Sequence, residues 1–138
     1  MEIIIPMFFL VCLTIVVGLG LGASRMALSA KGQADPRYFK LWSGFSPPDH
    51  VQRLERNFSN LFEVPVVFYI AGVIAMIINT QSTVIHGLAW AFVALRYVHS
   101  IIHITYNNPL HRMIAFLLSS LIALAMWGQL VSIVAQNL

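Results

Sequence analysis

Apolar residues run along the chain in four blocks, and the polar residues between them fix where each block begins and ends. From Ile3 to Ser24 no charged residue occurs. A membrane span needs about 20 apolar residues, so this block predicts a first transmembrane helix over about residues 3–28. Pro6 sits near its start, where a missing N–H does no harm, and Gly18, Gly20 and Gly22 allow another helix to approach closely. Glu2 stands where a signal peptide would carry positive charge, so the block is read as retained.

Residues Ala30 to Pro48 are rich in Gly, Pro, Ser and basic side chains and read as an interfacial loop, with Tyr38, Phe39, Trp42 and Phe45 at headgroup level. Ser46-Pro47-Pro48-Asp49 then marks a helix start, Asp49 and Gln52 forming a pair like a capping box. The second helix is predicted over residues 50–79; at 1.5 Å per residue it would be roughly 45 Å long, more than the ~30 Å hydrocarbon core, so its charged end protrudes. The polar cluster Asn79-Thr80-Gln81-Ser82-Thr83 separates it from a third helix over 83–106. Asn107-Asn108-Pro109 supplies a stop, a cap and a first-turn proline for a fourth helix over 109–134. The fold class is therefore all-α, a four-transmembrane-helix bundle forming one domain over residues 1–138.

Composition agrees with that class. Hydrophobic residues make up 59% of the 138-residue chain and charged residues 9%, far from the roughly one-quarter charged of soluble domains. Seven of the eight Lys/Arg residues lie in or beside the first and third connections; by the positive-inside rule both termini face away from the cytoplasm. Cys12 is the single cysteine, so no intrachain disulfide forms, and it reads as a small buried hydrophobe. No nucleic-acid module, phosphate loop or catalytic serine motif occurs.

The charges that topology leaves unexplained form two stripes. Arg53, Arg56, Asn60 and Glu63 follow one another at spacings of three, four and three on the second helix, and Arg96, His99 and His103 at three and four on the third. The helices are antiparallel, so counting inward from the charged face predicts Arg53 near His103, Arg56 near His99, and Asn60 or Glu63 near Arg96, with Arg112 in the outermost layer. A charge within the hydrocarbon costs at least about 2.5–3.5 kcal/mol and is turned inward and paired. A buried ion-pair network that only fixes helix register is one reading. Cations outnumber the single carboxylate of the stripe, however, and the surplus favours an anionic ligand. Guanidinium groups clamp carboxylates, Glu63 can receive an ammonium and Asn60 an amide, which together describe a small zwitterionic peptide. If that peptide carries a thiol, a neighbouring Arg raises its thiolate fraction. His99 and His103, with His111 nearby, form at best half a metal site, and no metal is expected.

Arg56-x-x-x-Asn60-x-x-Glu63-x-Pro65, followed by Arg96-x-x-His99-x-x-x-His103 and by Arg112 at the start of the fourth helix, resembles the MAPEG family, the membrane-associated proteins of eicosanoid and glutathione metabolism. The resemblance spans essentially the whole chain. It implies a homotrimer that binds glutathione as co-substrate between neighbouring subunits near the cytoplasmic face. It implies glutathione contacts from Arg56, Asn60 and Glu63, with Arg53, Arg96, His99 and His103 alongside, a carboxylate contact from Arg25, and Arg112 as the catalytic residue that activates the thiol. His99 and His103 stand where eicosanoid-handling members often have tyrosines or a His/Tyr pair, and Met113 where some have serine, which departs from eicosanoid synthesis; the short loops and histidine-rich third helix look more like the bacterial branch, which implies a bacterial inner membrane. The expected activity is glutathione-dependent transfer or peroxide reduction on lipophilic electrophiles drawn from membrane lipid. The competing readings are a small oligomeric membrane transporter built around Glu63, and a non-catalytic member that binds lipid or a partner protein. No nucleic-acid partner is expected.

Overall fold

The computed structural model describes residues 2–34, 40 and 46–136. Arg37, Tyr38, Phe39, Trp42 and Phe45, assigned above to an interfacial loop, lie outside the described residues. Among the described residues five helices follow in chain order: α1 (Ile4–Ala30), α2 (Asp49–Asn60), α3 (Val64–Ile77), α4 (Thr83–Ile104) and α5 (Pro109–Ala135). They make four stretches long and apolar enough to cross a membrane, because α2 and α3 together form one. The 22 residues of α4, the shortest stretch, reach about 33 Å, matching the hydrocarbon core.

The break between α2 and α3 corrects the continuous helix predicted over 50–79. Pro65 offers no N–H to the carbonyl of Leu61, and its ring crowds that carbonyl, which favours a kink or break there; here the helix is interrupted. Leu61 and Phe62 close α2 with short bonds back to Asn57, Phe58 and Ser59. Glu63 takes φ −91° and ψ −95° before α3 starts with proline in its first turn. The sequence carried the signal in Pro65 itself. The start of α2 differs too: Asp49 is in the first turn and caps nothing with its side chain, while Gln52 Nε2 donates to Ser46 Oγ and the Pro47 carbonyl.

The two turns follow the polar clusters. Asn79 and Asn107 both adopt positive φ (50° and 53°), the conformation that Asn tolerates better than most residues and that ends a helix. Ser82 caps α4 through Ile85 N, and Asn108 Oδ1 caps α5 by accepting from Leu110 N and His111 N, with Pro109 in the first turn.

The seam between α4 and α5 is the most extensive, α1 packs along α2 and α4, and α3 packs on α5. The apolar half centres on Phe68, stacked on Phe92 with ring centroids 4.4 Å apart, and on Leu10, Ala89, Met126 and Leu130. A smaller cluster of Leu21, Leu28 and Val51 joins α1 to α2. Outward faces stay apolar throughout, with Phe8, Leu19, Ile77, Leu124 and Val131 all exposed, the surface that lipid rather than water covers.

Candidate functional site

The C-terminal end of α1, all of α2, the C-terminal end of α4 and the start of α5 meet on one face of the bundle. Polar contacts there descend in layers. In the outermost, Arg53 Nη1 donates to the Thr105 carbonyl at 2.8 Å. Arg53 also shares a cavity of about 210 Å³ with Asp49, Gln52, Arg56 and Asn107.

The next layer is built by the α4–α5 turn. Because Asn107 stops α4 and Asn108 restarts the chain as α5, Arg112 falls in the first turn of α5 facing the end of α4. Its Nη1 donates to Asn107 Oδ1 at 2.6 Å and lies 3.4 Å from His103 Nε2. The Arg112 backbone carbonyl receives a hydrogen bond from His99 Nδ1 at 3.1 Å. Arg112 is thus held at both its side chain and its main chain by one turn of α4.

The deepest layer is Arg96, fully buried. Its Nη2 donates to the carbonyl of Asn60, the last residue of α2, and its guanidinium lies 6.0 Å from the Phe116 ring. Its Nε and Nη1 have no hydrogen-bond partner. Glu63 acts electrostatically on Arg96 from the α2–α3 break, without a direct ion pair among the described residues.

Two cavities open between these layers. One, about 240 Å³, is lined by Asn60, Glu63, His99, His103, Pro109, Arg112, Met113 and Phe116. The other, about 410 Å³, is lined by Glu55, Arg56, Ser59, Asn60, Glu63, His103 and Arg112. Asn60, Glu63, His103 and Arg112 belong to both, so they form the wall the two cavities share.

Six of the nine residues singled out from the sequence therefore line one or both of these cavities: Arg56, Asn60, Glu63, His99, His103 and Arg112. Arg96 sits beneath them. The predicted layers hold for Asn60 and Arg96, but Arg53 meets Thr105 rather than His103, and Arg56 shares a cavity with His103 and not with His99. Counting Cα positions treats side chains as equal in reach, whereas arginine extends across a turn to find its acceptor. Arg25 is not among the lining residues. Its Nε and Nη2 both contact Glu55 Oε1, at 3.3 and 3.0 Å.

Sequence reasoning missed Glu55, Ser59, Pro109, Met113 and Phe116 as lining residues. Phe116 was findable, lying one turn after Arg112 on the same face. Also missed was a buried pair behind the site, Ser100 Oγ donating to Asn57 Oδ1 at 3.0 Å, which ties α4 to α2. Among the described residues no group of three His, Cys, Asp or Glu side chains is arranged to hold a metal ion.

No curated protein and no solved structure matches the chain closely enough to add to this picture. A family model does, and it covers residues 3–132, taking in three spans whole, most of the fourth and every layer of the site. With that match added to the helix count, the apolar outer faces and the clustered polar layers, the chain is a multi-pass membrane protein that belongs to the MAPEG family.

Proposed function

We propose that this protein is a glutathione-dependent membrane transferase or peroxidase acting on lipophilic electrophiles. The observation that carries the reading is the shared wall of the two cavities. Arg112, Asn60 and Glu63 stand on it, and the larger cavity adds Arg56 and Glu55, whose carboxylate is already engaged by Arg25, so Arg56 faces the cavity without an equivalent paired anion. That set complements a zwitterionic peptide: Arg56 for a carboxylate, Glu63 for an ammonium, Asn60 for an amide. Arg112 spends Nη1 on Asn107, and its other N–H groups make no hydrogen bond among the described residues, so a sulfur anion in the cavity gains a fixed donor.

A cationic neighbour lowers a thiol pKa from about 8.5 and so increases the fraction present as the thiolate nucleophile. The thiolate attacks the electrophilic carbon of an acceptor that arrives from lipid. Both cavities open on the surface of the protomer, which suits glutathione held between subunits of a homotrimer; Arg25 reaches the larger cavity only through its ion pair with Glu55, which lines it. Positive-inside counting puts this face toward the cytoplasm, with both termini opposite. A bacterial inner membrane is the setting that fits the short loops.

Calorimetric titration of the detergent-purified protein with glutathione tests the reading. Saturable binding that is lost in Glu63→Ala, with the oligomer intact, is the expected result. Absence of binding by the wild type overturns it in favour of a non-catalytic family member. The exporter reading is weaker, because Glu63 stands on the shared cavity wall beside Arg112; proton-coupled uptake into vesicles would restore it.

A further inference from the structure

His99 lines the smaller cavity and is buried on α4. Its Nδ1 faces the Arg112 carbonyl oxygen, and a carbonyl can only accept, so Nδ1 carries the ring proton. The neutral imidazole is then left with a bare lone pair on Nε2. That Nε2 is buried and has no hydrogen-bond partner. A buried acceptor left empty is costly, and in a cavity wall it is completed by a donor that arrives with the ligand.

We propose that His99 is the base that takes the thiol proton of bound glutathione at Nε2, while Arg112 stabilises the sulfur anion; this rests on the function proposed above. The arrangement has the three parts that nucleophile activation requires: an acidic hydrogen on the ligand, an unpartnered ring nitrogen on a residue that lines the cavity, and a third group, the Arg112 carbonyl, that fixes the ring and its tautomer. The guanidinium of Arg112 cannot perform this step, since it has no acceptor site. His103 is the poorer candidate because its Nε2 already faces Arg112 Nη1.

The charged and titratable groups that face His99 come from α2, the α2–α3 break, α4 and α5. Arg96 and His103 share α4 with it, Arg112 approaches from α5, Arg56 stands on α2 beyond His103, and Glu63 is the one carboxylate lining the cavity. These cations favour the negative sulfur once a ligand is bound. The S–H bond breaks, its electron pair stays on sulfur and an N–H bond forms at Nε2. Sulfur then bonds to the electrophilic carbon. For an activated double bond, the electron pair moves to the neighbouring carbon, which takes the proton back from Nε2, so the ring returns neutral and no further reactant is needed.

His99→Gln keeps an amide N–H for the Arg112 carbonyl but is no base. It should lower kcat for conjugation of an α,β-unsaturated carbonyl by about 10²-fold, within the range general bases contribute, with KM for glutathione changed less than about threefold. Wild-type kcat should fall as pH drops and the ring is protonated, and His99→Gln should lose that acid limb. Wild-type kcat and pH profile in His99→Gln, with glutathione still bound, overturns this role alone. Absence of glutathione binding by the wild type overturns it together with the proposed function. Because the variant can fail to assemble, nitrogen-15 NMR of histidine-labelled wild-type protein gives a second reading. The Nδ1–H tautomer at His99 supports the proposal, and the Nε2–H tautomer overturns it.

Discussion

The second membrane span is two helices of opposite character. α2 carries Arg53, Glu55, Arg56 and Asn60 and turns them toward the polar cavities, whereas α3 holds no charged residue and buries Phe68, Ala71, Gly72 and Ala75 against its neighbours. A continuous helix would have made this a gradual change along one surface. The break at 61–63 makes it abrupt. It ends α2 at Asn60, whose carbonyl takes the Arg96 hydrogen bond, and lets Glu63 leave the helical stripe and reach both cavities. One half of the bundle is thus organised by hydrogen bonds to specific atoms, the other by close packing, and Pro65 sets the border.

If that division is real, damage to one half should spare the other. The largest effect is expected from Phe68→Ala, which removes the ring stacked on Phe92 and should cost about 3–5 kcal/mol of stability in reversible unfolding from mixed micelles. Glutathione affinity of the surviving folded protein should stay within about twofold; a collapse of binding would show that the halves are not separate. Arg112→Ala makes the converse test. It should lower the conjugation rate about 10²–10³-fold, or ~2.7–4 kcal/mol of transition-state stabilisation, while the thermal midpoint moves little. Ser100→Ala probes the seam between the halves, since it strips Asn57 Oδ1 of its donor behind the site and should cost about 1–3 kcal/mol in the same unfolding experiment. Pro65→Ala should have the smallest energetic effect. It permits one more backbone bond, worth about 1 kcal/mol, yet it should weaken glutathione binding by drawing Asn60 and Glu63 back into a regular helix. Unchanged affinity in that variant would mean that the break does not shape the site.

Much of this was legible before any coordinates. The four spans, the polar breaks that begin at Asn79 and Asn107, the Asn108 cap and the convergence of Asn60 with Arg96 follow from polar punctuation and from depth counted along antiparallel helices. What could not be read depends on reach and on main-chain partners. Arg53 bonds a carbonyl rather than a side chain, and so does His99, and no residue pattern announces which carbonyl is left available. Arg25 finding Glu55 is similar: the pair is 30 positions apart and joined by the approach of α1 to α2, which only packing decides. The break at Glu63 was visible in Pro65, but a proline in a membrane helix is compatible with a kink as well as a full interruption.

Arg96 also has a bearing on how the chain enters the bilayer. Its span is the least hydropathic of the four, and it brings a fully buried guanidinium whose hydrogen bond comes from the span before it. Alone, such a segment would be a poor substrate for the insertion machinery, because a central arginine adds about 2.5–3.5 kcal/mol to its transfer. With the preceding span already present, the Asn60 carbonyl removes part of that cost, so the two are expected to integrate as a hairpin. Glycosylation mapping of the third span, made with and without the second, reads this directly: efficient integration of the isolated segment would show that its arginine needs no companion during biogenesis.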